Sequence, residues 1–544
     1  MAFDAAIIGL GPSGAVLANL LAKGGMNILV LEKEARAFDR PRAIGIDHES
    51  MRILQFCGVA HELAPYTSPF RGTNYVGVDG SVIREVRPAS PPYPLGWPPN
   101  SSFLQPELER LLRERLATFS NASVLLSHDV ERLHFEEDYC HLTVREAATG
   151  TVKGLEARYV IGCDGANSIV RRTLNIDYDD LNFNEWWAVV DAWVSDLDRV
   201  PPLTQQYCWP SRPVTYVCGP ENLRRWELRI LPWENPEDFK RPRHVLNALS
   251  KYVDTSVVSI WRNAVYRFRA AAAQAWRREN AFIVGDAAHQ TPPFMGQGMN
   301  SGLRDAANLA WKLLLAERDA IDSRILSTYE QERKPHFAEL VSRAVEFGKI
   351  IGELDPTAAQ ERDNRLKHEM TKSNGRFVRQ QWIPNLVGGL ISREQNGGSQ
   401  LPAGEIFPQP AIVKGDGECL VDDIYGMRFL LIFASQRYAE GVAPEHLAYL
   451  ASIGAHVLEI GNFSGLTARG FTGIQLTRQS KYVAEWFKSR GLIAAVVRPD
   501  RYVFGGARNV DEVDQLLEEL AAAMPLCARP LGGRADQSRD FSIK

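Results

Sequence analysis

The sequence predicts an α/β protein in three parts: a mostly parallel sheet with helices, an antiparallel sheet inserted into it, and a small α/β unit near the C-terminal end. Three observations predict this. The chain opens on a strand, a glycine-rich turn, a helix and a second strand that ends in an acid, all within residues 3–32. Aromatic-rich segments of alternating polarity run from about 180 to 275. After a stretch dense in Gly and Pro, strand and helix patterns resume near 418.

Size and composition bound the rest. A chain of 544 residues suggests two to four domains. Its 45% hydrophobic and 24% charged residues are ordinary for a globular protein. A net charge of −4 makes no electrostatic case for nucleic acid. Seven scattered cysteines, with no CxxC pair, fit a reducing compartment and argue against zinc or a disulfide framework. No apolar run approaches a membrane span, and the N-terminus starts on a strand rather than a signal peptide. A cytoplasmic protein that touches no membrane is expected.

Residues 3–8 form the first strand. Gly9-Leu10-Gly11-Pro12-Ser13-Gly14 follows at once, then a helix to about Gly24 and a strand from Asn27 to Leu31, with Glu32 at its end. This is the Rossmann-like fingerprint in its proper setting. Gly9, Gly11 and Gly14 permit the tight turn and a close pyrophosphate, and the acid holds a ribose hydroxyl. The free ribose that Glu32 implies fits the adenosine of FAD or NAD. Arg40-Pro41-Arg42 could neutralise pyrophosphate charge. Asp47 and His48 are acid/base candidates, although either could equally cap the helix that starts near Glu49.

Short strands are expected at 74–78 and 82–86, a helix up to Leu116, and strands at 124–126, 130–135, 141–144 and 158–162. The last ends in Cys163-Asp164-Gly165, a second phosphate or ribose setting. Segments 186–194, 205–209, 214–218, 226–231 and 258–268 suggest the antiparallel sheet. Trp226, Leu228 and Ile230 share one face, and Glu227, Arg229 and Leu231 the other. Such a sheet could wall a pocket for a flat aromatic molecule. Arg225, Arg229 and Arg267 could each anchor a substrate carboxylate, or simply serve the sheet.

The organising stretch is Gly285-Asp286-Ala287-Ala288-His289, continuing through Pro292-Pro293-Phe294-Met295-Gly296-Gln297-Gly298-Met299-Asn300. A strand leads in, and a helix follows that Asn300 or Ser301 could cap. A glycine-lined helix N-terminus suits an anion, or a ring that becomes anionic on reduction. His289 reads as structural to its loop. Residues 1–178 and 276–387 are expected to form the first unit, 179–275 the inserted sheet, 388–417 a linker, 418–529 the small α/β unit and 530–544 an unstructured tail.

GLGPSG with Glu32, CDGANS with Arg171, and GDAAH…PP…GQGMNSG together resemble the class A flavoprotein aromatic hydroxylases over about 350 residues. PRAIGIDHE, Trp187-Ala188-Val189-Val190-Asp191, LRRWE and GQGMNSGLRDAANLAWKL look most like members acting on 3-(3-hydroxyphenyl)propionate. The resemblance implies a glutathione-reductase-type FAD-binding domain, an antiparallel-sheet substrate domain and a C-terminal thioredoxin-like domain, here without CxxC. It implies that Gly9, Gly11, Gly14 and Glu32 hold the ADP half of FAD, and that Arg42 and Gln105 also meet the cofactor. Asp164 then lies in a motif shared by FAD and pyridine nucleotide, and Asp286 bonds the ribityl chain. Gly296, Gly298, Met299 and Asn300 line the flavin edge, and Pro293 lies near the substrate. The implied activity is ortho-hydroxylation of a phenolic acid to a catechol, with NADH or NADPH as transient co-substrate and O2 as oxidant, through a C4a-hydroperoxyflavin. Asp47, His48 or Tyr207 could help deprotonate the phenol. Alternatives are the same chemistry on a larger polyketide or antibiotic aromatic, or a flavin-binding protein that does not oxygenate. The C-terminal unit could support a homodimer.

Overall fold

The computed structural model describes residues 2–318, 321–372, 383–393, 402–415, 417–435, 438, 441–461, 465–466 and 471–527. The expected tail lies outside them, as does part of the expected linker. Among the described residues no helix is long and apolar enough to cross a membrane.

Strands Phe3–Ile8 and Ile28–Glu32 lie parallel, because helix Pro12–Lys23 supplies the crossover. Helices cover such a sheet, so its strands need no polar alternation: Ala5–Ile8 and Ile28–Leu31 are buried throughout. The parallel order across the sheet is Ala281–Ile283, Val152–Gly162, Phe3–Ile8, Ile28–Glu32, Ala122–Leu126. Parallel strands share one carboxyl edge. Ile8 lies beside Gly162 and Leu31, and Gly162 beside Ile283. Gly9, Glu32, Asp164 and Asp286 therefore follow strand ends along one edge, where open α/β sheets bind ligands.

A second sheet runs His289–Gln290, Val258–Ala273, Tyr178–Val194, Leu223–Arg229, Val214–Cys218, Thr204–Tyr207, Thr73–Val76, Val82–Val86. Its apolar face, with Val190, Tyr216, Trp226 and Leu228, packs against Val245 and Leu249 of helix Pro242–Leu249. Strands Tyr178–Val194 and Val258–Ala273 run further than expected, and Ala272 pairs with His289. The segment 281–290 thus belongs to both sheets, and its loop is held where they meet.

Two expectations are corrected. The hairpin 73–86 joins the second sheet rather than the first unit, because Thr73–Val76 pairs in parallel with Thr204–Tyr207. Local pattern carries no sign of a pairing that long-range. Residues 402–414 are not a linker: Phe407 and Ile412 are buried in the C-terminal core, and Ala411–Lys414 pairs with Gly417–Leu420. The Gly and Pro content masked these apolar anchors.

In the C-terminal unit, Leu430–Phe433 is flanked by parallel His456–Gly461 and antiparallel Ala494–Val497, with Val503–Ala507 beyond. The unit docks on the first sheet's helices through buried polar contacts. Asp422 lies between Arg52 and Arg501, Arg498 pairs with Glu332 at 2.6 Å, and Tyr502 Oη donates to Glu49 at 2.7 Å.

Candidate active site at the meeting of the two sheets

The first glycine turn is built for contact on one side and openness on the other. Gly9 has φ +98°, and a Cβ there would lie 2.4 Å from the Cys163 carbonyl. A Cβ on Gly14 would lie 2.1 Å from the Gly9 carbonyl oxygen, whereas one on Gly11 would meet nothing within 4 Å. Helix Pro12–Lys23 has no side-chain cap and no acid in its first turn, so its free N–H groups and dipole suit a diphosphate. Glu32 accepts from the Leu10 and Glu34 amides at 2.7 and 2.9 Å. Asp164 accepts from the Ile169 amide at 2.6 Å, while its buried Oδ1 has no hydrogen-bond partner among the described residues and burial raises its pKa. An orphaned carboxylate oxygen beside an open glycine turn fits a ligand with hydroxyl donors.

Asp286 stands exposed between buried Gly285 and Ala287. Its carboxylate makes no hydrogen bond among the described residues, and desolvation by the surrounding protein raises its pKa against the pull of His289 and Arg42. Tyr178 Oη donates to the Asp286 and Ala287 carbonyls at 2.8 and 3.1 Å, and Arg171 stacks on the Tyr178 ring. That contact ties the two acidic motifs together. His289 is fully buried, bonded to Asp305 at 2.6 Å and stacked on Phe337.

The Arg42 loop is fixed from below and from the side. Gln105 Oε1 accepts from the Arg42 and Ala43 amides at 2.8 and 2.6 Å, and its Nε2 donates to Glu109. This buried amide thereby fixes the Arg42 loop, with its oxygen and one of its two N–H donors engaged. Arg225 is the lateral brace: it donates to Asp191 and to the Pro41 and Arg42 carbonyls. The expectation that Arg225 anchors substrate is corrected, since each of its three nitrogens already donates to Asp191 or to a carbonyl of the Arg42 loop. Arg229 is likewise paired with Glu185 and bonded to the Gly352 carbonyl. Arg267 bonds Asn184 and lies over Trp186. Burial demands these partners for Arg225 and half-buried Arg229, whereas Arg267 is exposed.

In the loop from Pro293 to Gly298, Met295 and Gly296 have φ +69° and +61° in succession. This left-handed pair turns the backbone sharply into helix Gly298–Glu317, whose N-terminus lacks a side-chain cap. Contrary to expectation, neither Asn300 nor Ser301 caps it. Asn300 staples instead: Nδ2 donates to the Gly296 carbonyl at 2.6 Å, and Oδ1 accepts from the Asp47 amide at 3.3 Å. Gly298 and half-buried Met299 form the first turn beside it.

Asp47 caps helix His48–Cys57 by accepting from the Ser50 amide, and its other oxygen meets Arg304 and Gln297. Arg304 also binds Glu49. Burial would raise the Asp47 carboxyl, but Arg304, His48 and the Ser50 amide hold it below its ordinary value. Its oxygens are occupied, so it is poorly placed as a substrate base. Burial holds His48 neutral, with its pKa down to about 4.

A cavity of about 320 Å³ lies between this loop and the polar face of the second sheet. Pro293, Met295, Gly296 and Asn300 form one wall; Thr204, Gln206, Thr215 and Glu227 form the other. Tyr207 is corrected as a base. It follows Gln206, so it points to the opposite face, where it packs with Trp209 and Tyr252. Sequence reasoning placed Glu227 on the face opposite Trp226 and Leu228 but assigned it no role in the site. It also passed over Arg304, which nothing local distinguishes from any helical arginine.

Known proteins match this architecture. The family described as FAD binding domain matches residues 2–344, and the HcaD C-terminal domain matches 404–523. A probable NADH-specific resorcinol 4-hydroxylase of Rhodococcus jostii is 33% identical over 97% of each chain. A 3-(3-hydroxy-phenyl)propionate/3-hydroxycinnamic acid hydroxylase of Escherichia coli is 30% identical over 96% of this chain and 94% of its own. The fold is shared with the flavin-dependent monooxygenase PieE in complex with FAD and substrate (TM-score 0.77, 20% identity, 96% of this chain and 99% of that one). It is shared too with aklavinone-11 hydroxylase in complex with FAD and aklavinone (TM-score 0.75, 20% identity, 95% and 98%). On the match over residues 2–344 and these full-length relatives, the chain belongs to the FAD-dependent class A flavoprotein aromatic hydroxylases.

Proposed function

We propose that this enzyme hydroxylates a single-ring, meta-substituted phenol, such as resorcinol or 3-(3-hydroxyphenyl)propionate, ortho to its hydroxyl, with NADH as reductant. The observation that carries the reading is the cavity. At about 320 Å³ it sits at the small end of ligand pockets and joins the Pro293–Asn300 loop to a polar wall. A polycyclic polyketide needs more room. The relatives named for resorcinol and 3-hydroxyphenylpropionate support the ring pattern, and the NADH-specific one supports the reductant.

Bound FAD would supply the redox and oxygen-activating chemistry. Gly9, Gly11, Gly14, Glu32, Asp164 and Asp286 are proposed to hold it along the carboxyl edge. The uncapped N-terminus of helix Gly298–Glu317 would stabilise negative charge at the flavin's pyrimidine edge. Phe294 and Met295 shield the loop side of the cavity from water, and Thr204, Gln206 and Thr215 orient the polar substituents of the ring. We also propose a thioredoxin-like C-terminal unit, on the strength of its central strand with one parallel neighbour and an antiparallel hairpin on the other side.

The test is NADH and NADPH oxidation by the flavin-loaded enzyme with resorcinol, 3-(3-hydroxyphenyl)propionate and polycyclic phenols, with products identified by mass. Faster NADH use with a one-ring product one oxygen heavier is expected. Peroxide alone from every one-ring phenol, with turnover of a polycyclic one, would refute the assignment.

A further inference from the structure

We propose that Glu227 is the group that takes the phenolic proton from the substrate; this rests on the reading that a phenol occupies the cavity. Glu227 lies on strand Leu223–Arg229 opposite Thr215, on the face away from Trp226 and Leu228. It is only 6% exposed and lines the cavity. Its carboxylate accepts no hydrogen bond among the described residues, and its nearest cation, Arg225 Nη1, is 3.9 Å away. Arg225 directs its donors to Asp191, Pro41 and Arg42, and Arg262 directs its own to Asp191 and Tyr266. A buried acid with no partner of its own, turned to a substrate-sized cavity, is poised to accept a proton.

The surroundings set its basicity. Arg225 on its own strand, Asp191 on Tyr178–Val194 and Arg262 on Val258–Ala273 face it from the sheet. Arg71, Glu221 and Arg224 are the charged groups on the other cavity walls. Burial, with Asp191 adding to it, pushes the carboxyl up to about 7 against the pull of Arg225 and Arg262. A base is most effective when its pKa lies near the working pH. The other acid/base residues of this region fit less well. Asp47 is saturated by Arg304, His48 is a weak base outside the cavity lining, and Tyr207 faces away.

In the step itself the phenolic O–H bond breaks and its electron pair stays on the oxygen. The proton bonds to a Glu227 carboxylate oxygen, leaving a neutral acid and an electron-rich phenolate. No oxidation or reduction occurs in this step.

The test compares wild-type and Glu227→Gln holoenzymes on resorcinol, on 3-(3-hydroxyphenyl)propionate and on a ring-fluorinated analogue already ionised near neutral pH. The variant should keep FAD and oxidise NADH, yet form about 10²-fold less product from the ordinary phenols. Its deficit on the ionised analogue should be far smaller, and the acid limb of kcat/KM near neutrality should vanish. Unchanged product formation and pH profile, or an equal loss on both kinds of substrate, overturns the assignment alone. Should the variant fail to hold FAD, the wild type decides: an acid limb present with the ordinary phenols and absent with the ionised analogue supports Glu227, and one present with both overturns it. A wild type that hydroxylates none of these phenols overturns the functional reading and this assignment together.

Discussion

Replacing Asp286 with alanine separates cofactor binding from protein stability. The Asp286 carboxylate is exposed and makes no hydrogen bond among the described residues; only its backbone carbonyl is held, by Tyr178. Removing the side chain therefore breaks no hydrogen bond among the described residues, only its charge interactions with His289 and Arg42. The unloaded protein should keep its stability to within about 0.5 kcal/mol, as surface changes do. A bound FAD would lose one charge-assisted hydrogen bond, worth about 1.5–3 kcal/mol. At about 1.4 kcal/mol per tenfold, affinity should fall roughly 10- to 150-fold. The assay is a fluorescence titration of the unloaded variant with FAD, alongside thermal unfolding of both unloaded proteins. Unchanged affinity would refute the role of Asp286. A matching loss of stability in the unloaded protein would show that the side chain serves the fold instead.

Three further outcomes are expected. Tyr502→Phe removes the C-terminal unit's hydrogen bond to buried Glu49, which shares Arg304 with Asp47. A loss of about 1.5–3 kcal/mol should appear as a lower unfolding temperature together with faster FAD release, and unchanged values of both would disconnect that unit from the flavin loop. Arg225→Met leaves Asp191 with Arg262 alone and frees the Arg42 loop, so FAD content should fall, with a cost of about 3–5 kcal/mol; equal damage from Arg229→Met would argue against a specific brace. His48 has a folded pKa depressed by burial, so the unfolded chain binds its proton more readily. Its contribution is fully present above about 6.5 and drains as pH falls toward about 4. That drift amounts to about 3 kcal/mol, and acid unfolding of His48→Gln should be correspondingly shallower.

The first strand–turn–helix–strand was legible because its information is local. Apolar runs, glycines at fixed offsets and a terminal acid suffice to specify Phe3–Glu32. The motifs at Asp164 and Asp286 were legible for the same reason, as turns closing apolar strands. Their assembly was not. Asp164 and Asp286 reach the edge that Gly9 opens because Val152–Gly162 and Ala281–Ile283 pair in parallel across more than a hundred residues of intervening chain. The hairpin at 73–86 was misassigned because its partner, Thr204–Tyr207, is distant in sequence, and the stretch at 402–414 because its Gly and Pro content masked the apolar anchors Phe407 and Ile412.

By itself, then, the sequence determined which chemistry-bearing turns exist and that a Rossmann-like strand–turn–helix opens the chain, since glycine sterics and hydrophobic periodicity act over a few residues. Only the tertiary structure decided which charged groups are spent on holding the protein together. Arg225, Arg229 and Asp47 read alike with Glu227 as polar residues near a site, but burial forces the first three to find partners. Glu227 alone of the four keeps its carboxylate for the cavity, because its neighbouring cations are already satisfied by Asp191 and by backbone carbonyls.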